Sequence, residues 1–468
     1  KNILLFVTFL LEIHSFSQTT DKSVFVNFID NPIVLDANLN EKEWQKTKGA
    51  SGFWQYFPLD SVQAQQQATI KFLFDDDNLY VGIKVNAPAN DFITPSLRRD
   101  FSAGGSDNIT LLFDTFNDGT NAFIFGTNPY GVKREMLLSG GGSELRGFTM
   151  AWDTKWECKT VIKEDHYIVE MIIPLSAFKY REGETKWRFN SYHFDTQDNE
   201  RNTWINIPQN QFIFNLAYMG EMIFEKPLSK SKSPISIIPY VNAISAKDFK
   251  STNSKSDLKF GGDVKFTIGS SLNLDLTLNP DFSQVEVDQQ ITNLTRFEIS
   301  LPERRQFFIE NSDLFADFGN NRDSNPFFSR RIGIAKDTND NTIENDIIAG
   351  VRLSGKVNNN LRIGLLTMQT AEDLKNEIPT VNNAVVTLQQ KLFSRSNISV
   401  MFINKQATKD YDFLANEDKY SRIIGIDYRL ASEDNSWVGK YFFHKSFSPE
   451  IKNKNYSAGF STQYFNRN

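Results

Sequence analysis

The 468-residue chain carries 51 Lys and Arg against 57 Asp and Glu, which gives a formal net charge of −6. This mildly acidic balance, with basic residues spread along the chain, excludes a basic footprint for nucleic acid. The length predicts two domains, and abundant Phe and Asn without a long helical pattern favour an all-β fold.

The first residues, KNILLFVTFLLEIHSFSQ, combine a basic start, an apolar run and small residues before Gln18. This pattern predicts a partial signal peptide over residues 1–17, and therefore export; a first apolar strand is the alternative. The single cysteine, Cys158, excludes an internal disulfide and a thiolate metal site. Because the chain starts without Met and stops within a strand pattern, we expect truncation at both ends.

Residues 18–227 read as short strands separated by turn-rich loops, as in ATIKFLF, LYVGIKV and NITLLFD. Clusters of Asp, Asn and Gly supply the turns between them. The stretch also holds large residues for a sandwich core, namely Trp44, Trp152, Trp156, Trp187 and Trp204. We predict a compact β-sandwich here, lying in the periplasm.

A polar, Pro-containing stretch, EKPLSKSKSP at residues 225–234, marks the domain boundary. Beyond it apolar and polar residues alternate, as in LNLDLTL, and short turns (VNNN, FSRS) alternate with longer loops. An apolar lipid face, a polar lumen and turns of unequal length are typical of an outer-membrane barrel. We predict an antiparallel β-barrel over residues 228–468, incomplete at its C-terminus; a soluble meander or second sandwich is the alternative.

Several blocks between residues 32 and 333 resemble one protein family. They include PIVLDANLNEKEW, DDDNLYVGIKV, SDNITLLFDTFNDGTNAFIFGTNPYGV, WDTKWECKTVIKEDHYIVEMIIPLSAF, WRFNSYHFDTQDNERNTW and NPDFSQVEVDQQITNLTRFEISLPERRQFFIENSDLF. The family (DUF5916-like) consists of large bacterial outer-membrane proteins, typical of Bacteroidetes-like envelopes, with a domain similar to family 9 carbohydrate-binding modules before a barrel. The resemblance implies a β-sandwich in the first half, carbohydrate binding and a role in carbohydrate catabolism.

Family 9 modules are similar to sugar clamps in which two Trp rings enclose a terminal sugar, one just before a strand beginning Asp-Ser-Val-Glu. The matching strand begins here at Asp107, with Thr110 in place of the Glu and Phe101 in place of the upstream Trp. The second Trp would fall near Gln211 or Phe212. These departures leave sugar binding open.

A sugar site needs a flat aromatic surface together with polar groups that pair with hydroxyls. The candidates are Trp54, Tyr56, Arg98, Phe101, Asp107, Trp152, Glu200 and Trp204. Core packing is the alternative role for each Trp.

The turn DTFNDG places three oxygen-bearing side chains, Asp114, Asn117 and Asp118, close together. The family resemblance implies a structural Ca²⁺ there, although such a site wants six or more oxygens; an ordinary hairpin turn is the alternative. No other cofactor is expected. For glycoside hydrolysis, Glu170, Asp195 and Glu200 are candidate carboxylates, but the sequence does not pair them.

Residues 286–331 concentrate opposed charges within a β-patterned region. The charged residues are Arg296, Glu298, Glu303, Arg304, Arg305, Glu310, Arg330 and Arg331. We expect this segment to fold into or beside the barrel lumen as a charged constriction, since unpaired charge in a confined space is costly. A solvated periplasmic turn is the alternative.

Three functions follow from these patterns. The first is an outer-membrane barrel with a periplasmic domain, in contact with membrane lipid, that binds or passes a glycan or related small solute. The second is an exported glycoside hydrolase, and the third is a structural envelope protein without sugar binding. The sequence leaves the oligomeric state open.

Overall fold

The computed structural model describes residues 22–88, 92–230, 235–247, 254–269, 271–280, 303–320, 324–450 and 453–466. The predicted signal peptide lies outside the described residues. None of the helices within these ranges has the length and hydropathy that a membrane crossing requires.

The first half of the described chain forms one sheet of thirteen strands. Its strands are β1 (Ser23–Phe28), β2 (Trp54–Phe57), β3 (Ala68–Phe74), β4 (Asn78–Asn86), β5 (Asn108–Asp114), β6 (Ala122–Thr127), β7 (Lys133–Leu138), β8 (Phe148–Thr149), β9 (Glu157–Ile162), β10 (His166–Pro174), β11 (Lys186–Asp195), β12 (Glu200–Thr203) and β13 (Gly220–Phe224). A short helix, α1 (Lys42–Lys46), lies between β1 and β2.

These strands fold into a sandwich. Their order is β8-β7-β6-β5-β11-β13-β1-β3-β4-β10-β9, with β12 pairing both β11 and β2. Phe72 of β3 packs against Phe189 of β11 with a ring-centroid distance of 4.9 Å, and one core cluster takes residues from both ends of this order. Apolar side chains on alternate strand positions thus meet in one interior. The predicted all-β fold with an N-terminal sandwich is confirmed.

The second half forms an antiparallel sheet of ten long strands, in the order β14-β15-β16-β19-β20-β21-β22-β23-β24-β25. They are β14 (Ser236–Lys247), β15 (Ser254–Ile268), β16 (Leu272–Leu278), β19 (Ile347–Lys356), β20 (Leu361–Thr370), β21 (Val381–Leu392), β22 (Ser396–Ala407), β23 (Tyr420–Ala431), β24 (Trp437–Phe447) and β25 (Tyr456–Tyr464). A separate hairpin contains β17 (Ile334–Lys336) and β18 (Thr342–Glu344). In the described ranges β14 and β25 do not pair with each other, so closure of the predicted barrel stays a prediction.

One face of the ten-stranded sheet is apolar and exposed. Directly paired residues lie on the same face of a sheet, and two such rows cross it from strand to strand. The rows are Leu365–Val386–Phe402–Ile424 and Leu388–Val400–Ile426–Phe443. All eight side chains are between 38% and 49% exposed. The sheet therefore presents a continuous apolar surface to its surroundings.

The other face is polar and buried. One of its rows, Lys356–Arg362–Gln389–Ser399–Asp427, runs across five strands. In another row, the guanidinium of Arg352 donates to Asp275 at 2.8 Å from the neighbouring strand, and both side chains are almost completely buried. The alternation read from the sequence therefore separates an apolar from a polar face.

The segment 303–320 lies on this polar face. It contains two one-turn helices, α2 (Gln306–Ile309) and α3 (Asp313–Ala316), whose aromatic side chains pack on Leu366, Met368 and Val385. Beside these apolar contacts, the Arg362 guanidinium donates a hydrogen bond to the Asp313 carboxylate at 2.6 Å. Burying the sheet's charged face in this way depends on such pairs, because an unpaired buried charge is costly.

Candidate functional site

Four of the predicted sugar-binding residues lie around the β2–β12 pair. Trp54 and Tyr56 are half-buried on β2, and the Tyr56 hydroxyl donates to the Gln211 carbonyl at 2.7 Å. Glu200 is buried and accepts hydrogen bonds from the side chains of Gln55 and Asn202. Trp204 does not offer an exposed surface for stacking, because its ring lies in the core against Phe189.

Three further candidates lie on or beside the loop that precedes β5. Arg98 is exposed, whereas Phe101 is buried beneath the guanidinium of Arg134, 5.5 Å from its ring centroid. Asp107 is buried and accepts hydrogen bonds from the backbone N–H groups of Ile93 and Thr196. Through these two hydrogen bonds Asp107 connects this loop to the end of β11. Burial raises the pKa of the Asp107 carboxyl.

Trp152, the remaining candidate, is half-buried, and the next residue, Asp153, forms an ion pair with Arg99 of this loop. Its ring lies 5.6 Å from Phe123 and 5.9 Å from Phe125, on the edge of the sandwich core. These contacts are those of a packing residue.

The face carrying Thr110 holds a residue that the sequence reasoning missed. Tyr192, Thr110, Gly126 and Arg134 are paired across β11, β5, β6 and β7, so they form one row. Arg134 is 5% exposed, and its Nε and Nη1 atoms have no hydrogen-bond partner among the described residues. A guanidinium with unsatisfied donors can pair with ligand hydroxyls or a carboxylate. The cluster of charged residues that leads into an apolar end, in VKREMLL, is the signal that could have indicated it.

Two buried titratable groups stand at the end of β11. His193 Nδ1 and Asp195 Oδ2 lack partners in the part of the chain that the structure describes. Burial lowers the pKa of His193 to about 4, and burial together with the charge of Asp198 raises the pKa of Asp195 to about 6. Both groups are therefore biased towards their neutral forms.

The carboxylates suggested for hydrolysis are all buried. Glu170 accepts hydrogen bonds from the Asp36 and Ala37 backbones and from the Trp44 indole, which ties the β1–β2 connection to β10. Glu170 is thus a buried strand residue whose hydrogen bonds hold neighbouring elements together.

The three side chains of the suggested calcium turn are engaged differently. Asp114 accepts from the Gly119 N–H at 2.7 Å, and Asp118 accepts from Thr120 and forms an ion pair with Lys356. Asn117 is exposed with a φ of 54°. No group of three or more His, Cys, Asp and Glu side chains in the described ranges could hold a metal ion. The arrangement thus does not offer Ca²⁺ a set of free oxygens, and Ca²⁺ at this turn stays a prediction.

The charged segment is only partly described. Arg296 and Glu298 lie outside the described residues, and Arg304, Arg330 and Arg331 are at least partly exposed. Glu303 accepts from Arg305 Nη2 at 2.7 Å, and Glu310 accepts from Asn273 at 2.8 Å. The segment lies against the polar face of the sheet, where many charges pair with residues that the sequence reasoning did not name, such as Asp275, Arg352 and Arg362.

The sandwich rests against short turns of the ten-stranded sheet. From the turn at residues 393–395, Arg395 donates to the Gly141 carbonyl at 3.1 Å and to Asn215 at 3.3 Å. From the turn at residues 432–436, the Asn435 carbonyl accepts from Gln211 at 3.2 Å. Between the two domains lies a cleft of about 930 Å³.

Two family models match the chain. Residues 233–467 match the model described as "Domain of unknown function (DUF5916)", and residues 35–226 match the model described as "Carbohydrate family 9 binding domain-like". Comparison with curated proteins gives no match.

Solved structures resemble the chain only distantly. A family 9 carbohydrate-binding module from Caldicellulosiruptor kristjanssonii, in complex with cellotriose, is 17% identical over 46% of this chain and 98% of its own, with a TM-score of 0.31. A proposed carbohydrate-binding protein from Bacteroides uniformis is 14% identical over 44% of this chain and 99% of its own, with a TM-score of 0.33. An anion-selective porin from Comamonas acidovorans is 8% identical over 89% of this chain and 97% of its own, with a TM-score of 0.23. At these identities and TM-scores the similarities give this chain neither a ligand nor an activity.

Proposed function

The chain belongs to the DUF5916 family, and from this premise we propose that it is an outer-membrane β-barrel protein whose family 9-like domain binds a glycan or related solute. The domain would lie in the periplasm, against the short turns of the barrel. The membrane location and the ligand are the two parts of this proposal that experiment has to test.

The observation that carries the membrane location is the exposed apolar face of the ten-stranded sheet. All eight side chains of its two rows, Leu365–Val386–Phe402–Ile424 and Leu388–Val400–Ile426–Phe443, are apolar, and the first row ends at Lys445, which pairs with Ile424. Water-soluble proteins rarely expose continuous apolar patches of this kind. A lipid bilayer removes the cost of exposing them, and an antiparallel sheet pairs its backbone groups between strands.

The polar face of the sheet also supports an arrangement in which the apolar face contacts lipid. It holds charged residues such as Arg352 and Asp275, which pair within the sheet and with the segment 303–320. An outer-membrane barrel keeps such residues inside, away from lipid.

The glycan part of the proposal depends on the family 9-like match over residues 35–226. Arg134 offers two unsatisfied donors, and the rings of Trp54 and Tyr56 on β2 are half-buried. Polar donors and an aromatic surface are the two features that a sugar site requires.

One observation favours a second candidate, a structural envelope role without sugar binding. Phe101 and Trp204 are buried, and Thr110 has no exposed surface. Aromatic rings in the core cannot stack on a sugar without rearrangement.

The membrane location is tested by fractionating cells that express the full-length chain. We expect the protein to stay with membranes after a carbonate wash and to need detergent for release. Recovery in the aqueous fraction without detergent would contradict the proposal.

Glycan binding is tested with the detergent-purified full-length protein on a glycan array. We expect binding to a defined subset of glycans, weakened at least tenfold by Arg134→Met, with Lys163→Met, at an exposed position outside the candidate set, as the control. An array without any bound glycan would favour the structural role instead.

A further inference from the structure

The cleft between the two domains has the size of a ligand site. Its volume of about 930 Å³ falls within the range of roughly 300–1,000 Å³ that small-molecule sites occupy. Its walls come from both domains, with Arg188 on the sandwich side and Lys391 and Arg395 on the sheet side. Domain interfaces are frequent places for such sites.

Cationic side chains from both domains converge on one turn at the wall of this cleft. The turn is residues 117–119, in which Gly119 has a φ of 66°. A Cβ on Gly119 would lie 3.1 Å from Arg188 Nη1 and 3.4 Å from Arg395 Nε, so the two guanidinium groups flank this residue. Lys391 Nζ donates to the Asp118 carbonyl at 3.2 Å.

The charged groups around this turn are mostly basic. Four cations, Arg188, Lys356, Lys391 and Arg395, surround it, and two carboxylates, Asp114 and Asp118, lie among them. Lys356 forms an ion pair with the Asp118 side chain, and Arg188 Nη1 lies 3.9 Å from Asp114 Oδ2. Further carboxylates, those of Glu221, Glu433 and Asp434, also line the cleft; Glu221 forms an ion pair with Lys186, and Asp434 accepts hydrogen bonds from Ser432 and Ser436.

Arg395 is the clearest case of uncompensated charge. It is 6% exposed, and its partners are neutral oxygens of Gly141, Asn215, Ser432 and Asn435. In the described part of the chain it forms no ion pair, and its Nε has no hydrogen-bond partner. Burial and the nearby charge of Arg188 lower the pKa of Arg395 to about 10. A desolvated cation beside a like charge is costly, and an anion in the cleft would reduce that cost.

We propose that the inter-domain cleft binds the carboxylate or sulfate group of an acidic oligosaccharide. This inference rests on the glycan binding proposed above and names the chemical class of the glycan. The cations flanking Gly119 would pair with the anionic group, since guanidinium and ammonium groups form their strongest hydrogen bonds with oxyanions. Exposed Asn117 and Ser394, which also line the cleft, would supply an amide and a hydroxyl for sugar hydroxyls.

The experiment measures binding of a hexamer of galacturonic acid to the detergent-purified full-length protein by calorimetry. A neutral galactose hexamer and inorganic sulfate serve as the comparison ligands. The variants are Lys391→Gln and Arg188→Gln, with Lys159→Gln on the edge strand β9 as the matched charge control outside the cleft. Arg395 is left intact, because its contacts to both domains also hold them together.

We expect the acidic hexamer to bind at least tenfold more tightly than the neutral one, and each cleft variant to weaken it about tenfold. Lys159→Gln should bind as the wild type does, and sulfate should compete. Equal binding of both hexamers with unchanged cleft variants would overturn this inference while leaving glycan binding in place. If neither hexamer binds and the glycan array also shows no bound glycan, both this inference and the proposed glycan binding fail. Binding of sulfate alone would identify the cleft as an ion site and would overturn the acidic-sugar assignment.

Discussion

Burial biases the protonation of His193 and Asp195 at the end of β11. Asp195 has a pKa near 6 in the folded chain against an ordinary 3.8, so the folded state binds more protons than the unfolded state between these pH values. His193 has a pKa near 4 against an ordinary 6.5, so there the folded state binds fewer. As the pH rises from about 4 to 6, Asp195 therefore lowers stability and His193 raises it.

Replacement of Asp195 removes one of these two opposed effects. In Asp195→Asn the His193 effect remains alone, so we expect the melting temperature to rise more steeply with pH between about 4 and 6 than in the wild type. Melting curves across this range, with the exposed turn variant Asp76→Asn as control, measure the difference. An unchanged slope in Asp195→Asn would show that this carboxyl does not titrate as described.

At the scale of single residues, the sequence offered candidate residue types for a sugar site but did not reveal their exposure. Trp204 and Phe101 were candidates because aromatic rings bind sugars, but the same rings fill a sandwich core, and both are buried. Arg134 escaped notice because it lies between the charged residues Lys133 and Glu135, and charged residues in a strand usually point to solvent. Which of these roles applies depends on the loops that fold over the strands, and local sequence does not reveal their positions.

At the scale of strands, the apolar rows make a quantitative prediction. Phe402 sits within the row Leu365–Val386–Phe402–Ile424. If this face contacts lipid near the bilayer centre, Phe402→Arg should cost roughly 2–4 kcal/mol of folding free energy. The same change at Phe393, an 84%-exposed residue of a turn, should cost about 0–1 kcal/mol. Urea titration of the protein folded into lipid vesicles measures both values, and equal costs would argue against a lipid-facing row.

Strand alternation was readable from the sequence because a period of two directly sets which face each side chain occupies. The pairing of charged side chains on the polar face could not be read from the sequence. Asp275 and Arg352 are 77 residues apart and meet only because β16 pairs with β19. The role predicted for the charged segment stays a prediction, and some of its described partners, such as Asn273 for Glu310, come from distant strands.

At the scale of the whole molecule, the ion pair between Asp118 and Lys356 joins the two domains. Removing one partner of a buried pair costs about 3–5 kcal/mol, so Asp118→Lys should loosen the contact. We expect faster hydrogen exchange in residues 140–143 and 393–395, and recovery of protection when Lys356→Asp is added. Glu372→Lys, which breaks the exposed pair with Lys409, is the control and should leave exchange there unchanged.

Unchanged exchange in Asp118→Lys would mean that other contacts, such as those of Arg395, suffice to hold the domains together. The sequence indicated two domains and a linker between them, but it carried no signal for how the domains meet. Their contact depends on the shapes of turns such as residues 117–119 and 393–395, which become neighbours only after both domains have folded.

The proposed membrane location depends on lipid contact by one face of the ten-stranded sheet. Leu388 points to the apolar face and Gln389, the next residue of β21, to the polar face. In a Cys158→Ser background, Leu388→Cys and Gln389→Cys would each carry a fluorescent label in vesicles containing spin-labelled lipid. Strong quenching at residue 388 and weak quenching at residue 389 is the predicted result. Equal, weak quenching at both positions would contradict a membrane-embedded sheet.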